Sequence, residues 1–262
     1  MPARFPERIV CLTEETTETL YLLGEERRIV GISGYTVRPP RARREKPRVS
    51  SFLNAKYEKI LELKPDLVLG FSDLQADIAR DLARAGLNVV LFNQRSVDEI
   101  LGMILVLSSM VGAAEKGAAL VAGFEKNLLS IREEAKTLPS RPRVYFEEWD
   151  EPMISGIRWV SELIGIAGGI DVFEEKSLQQ GASGRIIPDP AEVIRRDPEV
   201  IIGSWCGKKF RPDRVAARPG WDAISAVRSR RLHEIKSSEI LQPGPAALTD
   251  GVKRIQAILR AA

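Results

Sequence analysis

At 262 residues, the chain can form one large or two small domains, each able to bury a core of its own. Apolar residues make up 44% of the sequence and charged residues 29%, which is ordinary for a globular protein. The net charge of +3 is modest, and no apolar run approaches the roughly 20 residues of a bilayer-spanning helix. Direct insertion into a membrane is therefore not expected.

One basic cluster, RPPRARREKPR, runs from Arg38 to Arg48. A nucleic-acid surface would interleave aromatic residues with the positive charges, and this cluster contains none. We interpret it as a solvated, proline-rich loop and do not expect a nucleic-acid partner.

The amino terminus, MPARFPERIV, has no apolar core typical of a secretory signal and leads directly into a strand. This favours a cytoplasmic location, with a periplasmic or surface-attached location as the alternative if a signal was removed. Cys11 and Cys206 lack metal-ligand spacing and are expected to remain thiols.

Short apolar strands alternate with amphipathic helices over the first 112 residues. Thr13 or Thr16 can cap the first helix, and Gly24 is placed to end it. A Lys64-Pro65-Asp66 turn separates a later helix from its strand. Strands are predicted at residues 8–12, 28–33, 67–71 and 88–93, and further helices at 57–63, 75–85 and 97–111.

The longest predicted helix covers residues 113–138. Its apolar residues recur at steps of three or four, and no proline interrupts it before Pro139. Such a helix would be roughly 35–40 Å long, about the length of a small domain.

The second half repeats the order of the first. Residues 143–149 correspond to the first strand, and residues 191–205 correspond to 57–71 with the same Pro-acid turn and strand-ending glycine. Similar offsets at separate places favour a duplicated architecture. We predict an α/β fold of two Rossmann-like lobes with mostly parallel sheets, at residues 1–112 and 140–262, joined by a backbone helix at 113–139.

Open parallel sheets bind ligands beyond the carboxyl ends of their strands, and pockets favour domain interfaces. We therefore predict a site in the cleft between the lobes. Aromatic faces beside small polar groups suit a large, flat, partly apolar ligand with amide or carboxylate fringes, although the same aromatics could be core residues. The predicted ligand-binding residues are Tyr35, Ser51, Phe52, Phe71, Trp149, Met153, Ser155, Trp205, Cys206 and Gln242.

Enzymatic interpretations have little support in the sequence. The single histidine, His233, lies in a strand-like segment without a serine or aspartate partner typical of a triad. No phosphate-binding loop, dinucleotide fingerprint or metal-ligand spacing occurs. We predict no catalytic residues, no resident metal and no catalytic cofactor.

Several motifs carry a family resemblance over residues 8–259. RIVCLTEETTETLYLLG and KILELKPDLVLGF resemble motifs of the helical-backbone (class III) substrate-binding proteins of ABC importers. EEWDEPMISGIRWVSELIGIAGG and ILQPGP are most similar to the cobalamin-binding branch of that class.

The resemblance implies that cobalamin is held in the cleft. Ligand-contacting aromatics of the family match Phe52 and Phe71, and a loop position of the second lobe falls near Met153. A position near Ile186 holds tryptophan in well-known members, so the aromatic set differs here.

The resemblance also implies that Glu58 and Glu192 pair with arginines of a permease. Ordinary stabilisation of the helix dipole in the first turn is the alternative interpretation, and the two are compatible.

The predicted function is non-catalytic binding of cobalamin or a related corrinoid by a monomeric protein. It would act as the substrate-binding component of an ABC importer or as a cytosolic derivative of one. A haem-binding or ferric-siderophore-binding protein and a cytosolic corrinoid-handling enzyme remain alternatives.

Overall fold

The computed structural model describes residues 5–261. The chain divides into two compact units. The first unit comprises the residues up to Gln94 and Asp98–Gly123. The second unit comprises Arg95–Val97 and the residues from Phe124 onward. Each unit contains one five-stranded sheet with helices, so the predicted α/β class is confirmed.

The first unit is built from short strands and helices in alternation. Its strands are β1 (Ile9–Cys11), β2 (Ile29–Ser33), β3 (Arg48–Ser50), β4 (Leu67–Phe71) and β5 (Val89–Phe92). Its helices are α1 (Glu14–Leu22), α2 (Ala42–Glu45), α3 (Tyr57–Glu62), α4 (Ala76–Arg84) and α5 (Val97–Met110).

All five strands of the first unit are parallel, in the order β3-β2-β1-β4-β5. The central strands are largely apolar, as expected where helices cover both faces of a parallel sheet. Every residue of β1 and β4 is buried, as expected for a doubly covered sheet. A cluster that includes Val10, Val68 and Ile60 forms the core on one side.

Two local predictions for the first unit were wrong. The basic segment from Arg38 to Arg48 is not wholly loop, because it forms α2 and then enters the edge strand β3. Thr13 occupies the position before α1 but makes no capping bond, since its hydroxyl donates to Glu15 Oε1 at 2.6 Å.

The long helix α6 spans Ala114–Ala135, 22 residues without a break, and ends three residues earlier than predicted. The boundary between the two units falls inside it, between Gly123 and Phe124. Within the second unit, Asn127 Nδ2 donates to the Leu248 carbonyl at 3.0 Å, and Glu134 pairs with Arg260 at 2.7 Å.

The second unit contains more irregular segments than the first. Its strands are β6 (Arg143–Asp150), β7 (Met153–Ser155), β8 (Ile170–Asp171), β9 (Val200–Gly203) and β10 (Leu232–Glu234). Its helices are α7 (Arg158–Ile166), α8 (Glu174–Ser177), α9 (Ala191–Arg196), α10 (Pro212–Ala216), α11 (Ser225–Arg228), α12 (Ser237–Ile240) and α13 (Val252–Arg260).

The duplication inferred from the sequence is visible in one half of each sheet. Strands β6, β9 and β10 are parallel neighbours in the same order as β1, β4 and β5. The other half differs, because β6 pairs with the two-residue β8 and with the antiparallel β7. Residues 153–155, predicted as loop, therefore belong to the sheet.

Candidate functional site

A buried carboxylate organises the carboxyl end of β6. Glu147 is fully buried, and its Oε1 accepts from Trp205 Nε1 at 3.1 Å and from Arg218 NH2 at 3.0 Å. Its Oε2 accepts from Arg218 NH1 at 2.5 Å and from the Tyr145 hydroxyl at 3.0 Å. Burial, together with the charge of Glu147, raises the pKa of Tyr145, so the phenol stays protonated and donates.

A buried arginine pairs with Glu148, the residue that follows Glu147 on β6. Arg185 is 2% exposed and binds both carboxylate oxygens of Glu148, at 2.6 and 3.0 Å. It also donates to the Ser155 carbonyl at 2.5 Å, while the Ser155 hydroxyl donates to the Arg185 carbonyl at 3.2 Å. Ser155 is fully buried, so its predicted hydrogen bond to a ligand is replaced by one within the unit.

Trp149 is the partly exposed aromatic residue at this edge. Its indole Nε1 donates to the Glu151 carbonyl at 2.8 Å, which fixes the orientation of the ring. The Lys208 ammonium lies 4.1 Å from the ring centroid and is ion-paired with Asp150. Indole face, ammonium and carboxylate are thus displayed together at the end of β6.

Two residues predicted to pack on a ligand are core residues of the second unit. Trp205 is 5% exposed and meets Phe210 edge-to-face, with ring centroids 5.0 Å apart. Met153 is also buried, and its Sδ lies 3.5 Å from Arg218 NH1. Their apolar surface packs against their own unit, so we do not retain them as ligand contacts.

Cys206 and Gln242 have different positions relative to the strands. Cys206 follows β9 and is exposed, as its sequence position suggested, and neither it nor the buried Cys11 forms a disulfide. Gln242 does not follow a strand directly, because β10 ends at Glu234 and Gln242 comes after α12. It is partly exposed.

In the first unit, one buried glutamine joins the two predicted aromatic residues. Gln75 Oε1 accepts from the Phe71 backbone N–H at 3.0 Å, and its Nε2 donates to the Phe52 carbonyl at 2.8 Å. Phe52 is partly exposed, whereas Phe71 is buried. Sequence reasoning did not identify Gln75, although a glutamine four residues after a strand-ending aromatic was a usable signal.

Tyr35 and Ser51 follow β2 and β3 at the carboxyl edge of the same sheet. Tyr35 is 58% exposed, and its backbone N–H donates to Ser33 Oγ at 3.1 Å. Ser51 is partly exposed, and its N–H donates to the Asn54 carbonyl at 2.8 Å. The Tyr35 phenol is thus the most accessible of the predicted ligand-binding aromatics.

The two glutamates predicted to meet a permease have unequal surroundings. Glu58 lies in the first turn of α3 and is exposed, without an ion pair among the described residues. Glu192, in the first turn of α9, pairs with Arg196, which also binds Glu175 at 2.6 Å. Only the second glutamate is therefore held in one orientation by the protein.

His233 lies within β10, opposite Ile202 of β9. Partial burial, reinforced by the charge of Arg231, lowers its pKa. Among residues 5–261, no group of three or more histidine, cysteine, aspartate or glutamate side chains is arranged to hold a metal ion. None of the helices in that range combines the length and apolar character needed to cross a bilayer.

Comparison with known proteins identifies the family that combines two α/β units with one long helix. Residues 9–239 match the model of the periplasmic binding protein family. The chain belongs to that family. It is a class III binding protein, as the sequence motifs predicted.

Two relatives match nearly the whole chain. The ABC transporter substrate-binding lipoprotein YvrC of Bacillus subtilis is 27% identical over 259 residues, covering 95% of this chain and 79% of the relative. A vitamin B12-binding protein of Vibrio cholerae is 27% identical over 273 residues, covering 98% of this chain and 91% of the relative.

Solved structures agree on the fold at lower identity. The periplasmic vitamin B12-binding protein BtuF of Vibrio cholerae has a TM-score of 0.76 at 24% identity, with 98% of this chain and 97% of the other covered. The periplasmic haem-binding protein RhuT of Roseiflexus has a TM-score of 0.79 at 24% identity, with 97% and 99% covered.

These comparisons confirm the predicted class, a substrate-binding protein of ABC importers, and this class is not enzymatic. The family is named for periplasmic binding proteins, and the relatives are described as a lipoprotein or as periplasmic proteins. They support the periplasmic alternative and give no support to the cytoplasmic prediction.

Proposed function

We propose that this protein binds cobalamin or a related corrinoid and delivers it to an ABC permease from the outer side of the membrane. The observation that carries the proposal is the partly exposed Trp149, held by the Glu151 carbonyl and bordered by Lys208 and Asp150. A corrin ring is wide and flat and is fringed with amides. An indole face can pack on the ring while ammonium and carboxylate groups hydrogen-bond to the amides.

The first unit adds a second partly exposed aromatic, Phe52, whose carbonyl is anchored by Gln75. The names of relatives support the same ligand, since several are vitamin B12-binding proteins. We propose that Phe52 and Trp149 are the aromatic contacts and that Gln242 and Ser51 are polar contacts.

Haem is the second candidate because of Tyr35. A phenol that is 58% exposed at the carboxyl edge of a sheet is available to ligate ferric haem iron, a role that tyrosine fills in some haem proteins. The fold is also shared with a haem-binding protein.

Absorbance titrations separate the two candidates. The purified protein would be mixed with cyanocobalamin, with haemin or with a ferric hydroxamate, desalted, and its retained spectrum recorded. We expect retained corrinoid, at least tenfold weaker binding in Trp149→Ala, and unchanged binding in Leu129→Ala, which removes another exposed apolar side chain. Haem retention that is lost in Tyr35→Phe would favour the second candidate, and no retained corrinoid would refute the first.

The same sample tests the enzymatic alternative. A binding protein returns the corrinoid unchanged, so the spectrum and mass of the released ligand should match those of the added ligand. Conversion of the corrinoid during incubation would argue for a corrinoid-handling enzyme.

We also propose that Glu58 and Glu192 contact the permease. Glu58 lies in the first turn of α3 and Glu192 in the first turn of α9, two short helices at equivalent places in the repeat. The helix dipole stabilises negative charge at the amino end of a helix, and a negatively charged side chain suits pairing with a basic partner surface.

A further inference from the structure

A large open cavity lies in the first unit. Its volume is about 690 Å³, and it runs beside the edge strand β3, between α2 and α3. The side of β3 that faces away from β2 is a sheet edge, where backbone and side chains are reachable by a ligand.

The cavity lining is strongly basic. None of its eleven lining residues is acidic, and five are cationic: Arg43, Lys46, Arg48, Lys56 and Lys59. Like charges gathered around one space repel each other, and an anion placed among them relieves that repulsion.

Within residues 5–261, no carboxylate forms an ion pair with these cations, in contrast to their neighbours in the chain. Two of the five bind backbone carbonyls instead. Arg43 donates to the Gly34 carbonyl at 3.4 Å, and Lys59 donates to the Arg48 carbonyl at 3.2 Å. By contrast, Arg38 pairs with Glu18 at 2.8 Å and Arg41 pairs with Glu26 at 3.1 Å.

The nearby carboxylates are directed elsewhere. Glu45 accepts the Tyr21 hydroxyl at 2.7 Å and lies 3.5 Å from Arg41. Glu58 lies between Lys56 and Lys59 in the sequence but does not line the cavity. The chain therefore holds acidic residues close to the cluster without neutralising it.

The remaining lining groups indicate which class of ligand the cavity suits. Ser51 and Asn54 supply a hydroxyl and an amide, and the lining contains no aromatic ring. A ligand would be recognised through its charge and its oxygens and not by stacking of a flat base. Phosphate groups match this, since they carry up to two negative charges and several strong acceptor oxygens.

From this cavity we infer a second binding site, which adjoins the proposed corrinoid contact Ser51 and takes a phosphate-bearing anion. The ligand chemistry is a phosphate group with two or more negative charges, or a surface of phosphate headgroups. Arg48, Lys56 and Lys59 come from β3 and the start of α3, and Arg43 and Lys46 come from α2 and its carboxyl end. Because these side chains are mostly exposed, binding weakens as ionic strength rises.

The test uses a charge-matched pair of variants. Arg48→Gln with Lys56→Gln removes two cavity charges, and Lys126→Gln with Arg132→Gln removes two exposed charges on α6. Calorimetric titration with inorganic pyrophosphate and with phosphate tests a soluble source. Co-sedimentation with phosphatidylcholine vesicles, with and without phosphatidylglycerol, tests a headgroup source.

We expect pyrophosphate to bind wild type and the α6 variant equally, and the cavity variant at least tenfold more weakly. Binding only to phosphatidylglycerol vesicles, lost in the cavity variant, would support the same chemistry with a lipid source. No binding to either, or equal binding by both variants, would overturn the inference. Corrinoid retention measured on the same variants keeps this outcome separate from that of the proposed function.

Discussion

Arg218 encloses the Glu147 carboxylate from one side, with its NH1 2.5 Å from Oε2 and its NH2 3.0 Å from Oε1. Trp205 and Tyr145 donate to the same carboxylate. Arg218 also lies over the Trp221 ring, 4.5 Å from the centroid. A charge deep in the unit is therefore fully hydrogen-bonded, and it ties three segments of the chain together: β6, the residues after β9, and residues 218–221.

Replacing Arg218 with glutamine should be strongly destabilising. Glu147 is fully buried, and loss of its partner leaves an uncompensated charge, which costs about 3 kcal/mol or more. The free energy of unfolding, measured in urea, should fall by that amount. Arg195→Gln is the control, because its pair with Asp189 is exposed and should be worth less than about 1 kcal/mol. Equal losses in the two variants would contradict this account.

Gln75→Met should loosen the attachment of Phe52 while keeping the apolar volume. The change removes the acceptor of the Phe71 N–H and the donor to the Phe52 carbonyl. Leaving a buried polar group without its partner lowers the free energy of unfolding by about 1–3 kcal/mol. Hydrogen exchange at the Phe71 amide should accelerate, a readout that needs no ligand. Leu74→Met, at a neighbouring exposed position, should leave that exchange unchanged.

Stability should decrease between about pH 5 and pH 8 through Glu15. Burial raises the pKa of Glu15 to about 8, above the ordinary 4.5 that applies in the unfolded chain. A raised folded-state pKa means that the protonated form is favoured by folding, so this contribution is complete at low pH and lost as pH rises through 8.

Glu15→Gln mimics the protonated side chain and should flatten that pH dependence. Unfolding would be followed in urea at a series of pH values, with the exposed Glu58→Gln as the control. A slope unchanged in Glu15→Gln would refute the assignment. Burial also raises the pKa of the adjacent Glu14, to about 7, so a residual slope is expected until both are replaced.

Gly203 gives a further prediction of stability. It ends β9 at the position that matches Gly70 of β4, and a Cβ at Gly203 would lie 1.8 Å from the Phe210 ring. Gly203→Ala must displace a buried aromatic, at a cost of about 1–3 kcal/mol. Gly123→Ala, in open space on α6, should instead stabilise by up to about 1 kcal/mol. A thermal melt of both variants measures the opposite signs.

The sequence predicted the regular part of the fold well because long-range order there follows from local patterns. β4 was predicted with its observed ends, and the repeat of β1-β4-β5 as β6-β9-β10 follows from the duplicated Pro-acid turn. Strands of three residues, such as β3 and β7, are too short to display a period and are fixed by their neighbours.

The side chains of the site were harder to predict because position after a strand does not determine the direction of a ring. Trp205 follows β9, as a ligand contact would, but its indole turns inward to Glu147 and Phe210. Trp149 stays partly exposed because its Nε1 is held by the Glu151 carbonyl. The bond of Trp205 joins residues 58 positions apart, which no local pattern reports.

The last prediction concerns the two proposed permease contacts. Replacing Glu58 and Glu192 with alanine should reduce permease-dependent corrinoid uptake while leaving corrinoid affinity unchanged, because neither residue belongs to the proposed ligand contacts. The two single variants should differ in stability. Glu58→Ala removes an exposed side chain that has no ion pair in the described part of the chain, whereas Glu192→Ala breaks a helical pair with Arg196. Such a pair is worth about 0.3–0.5 kcal/mol.

Uptake would be measured in vesicles that carry the permease, beside corrinoid binding and a urea melt of each variant. Glu133→Ala, which breaks the pair between Glu133 in the last turn of α6 and Lys136 just beyond it, is the control for loss of a charge and of a local ion pair. Uptake that is unchanged in the double variant would leave Glu58 and Glu192 as ordinary first-turn charges. Uptake lost together with corrinoid affinity would place them at the ligand instead, because a docking contact acts only after the ligand is bound.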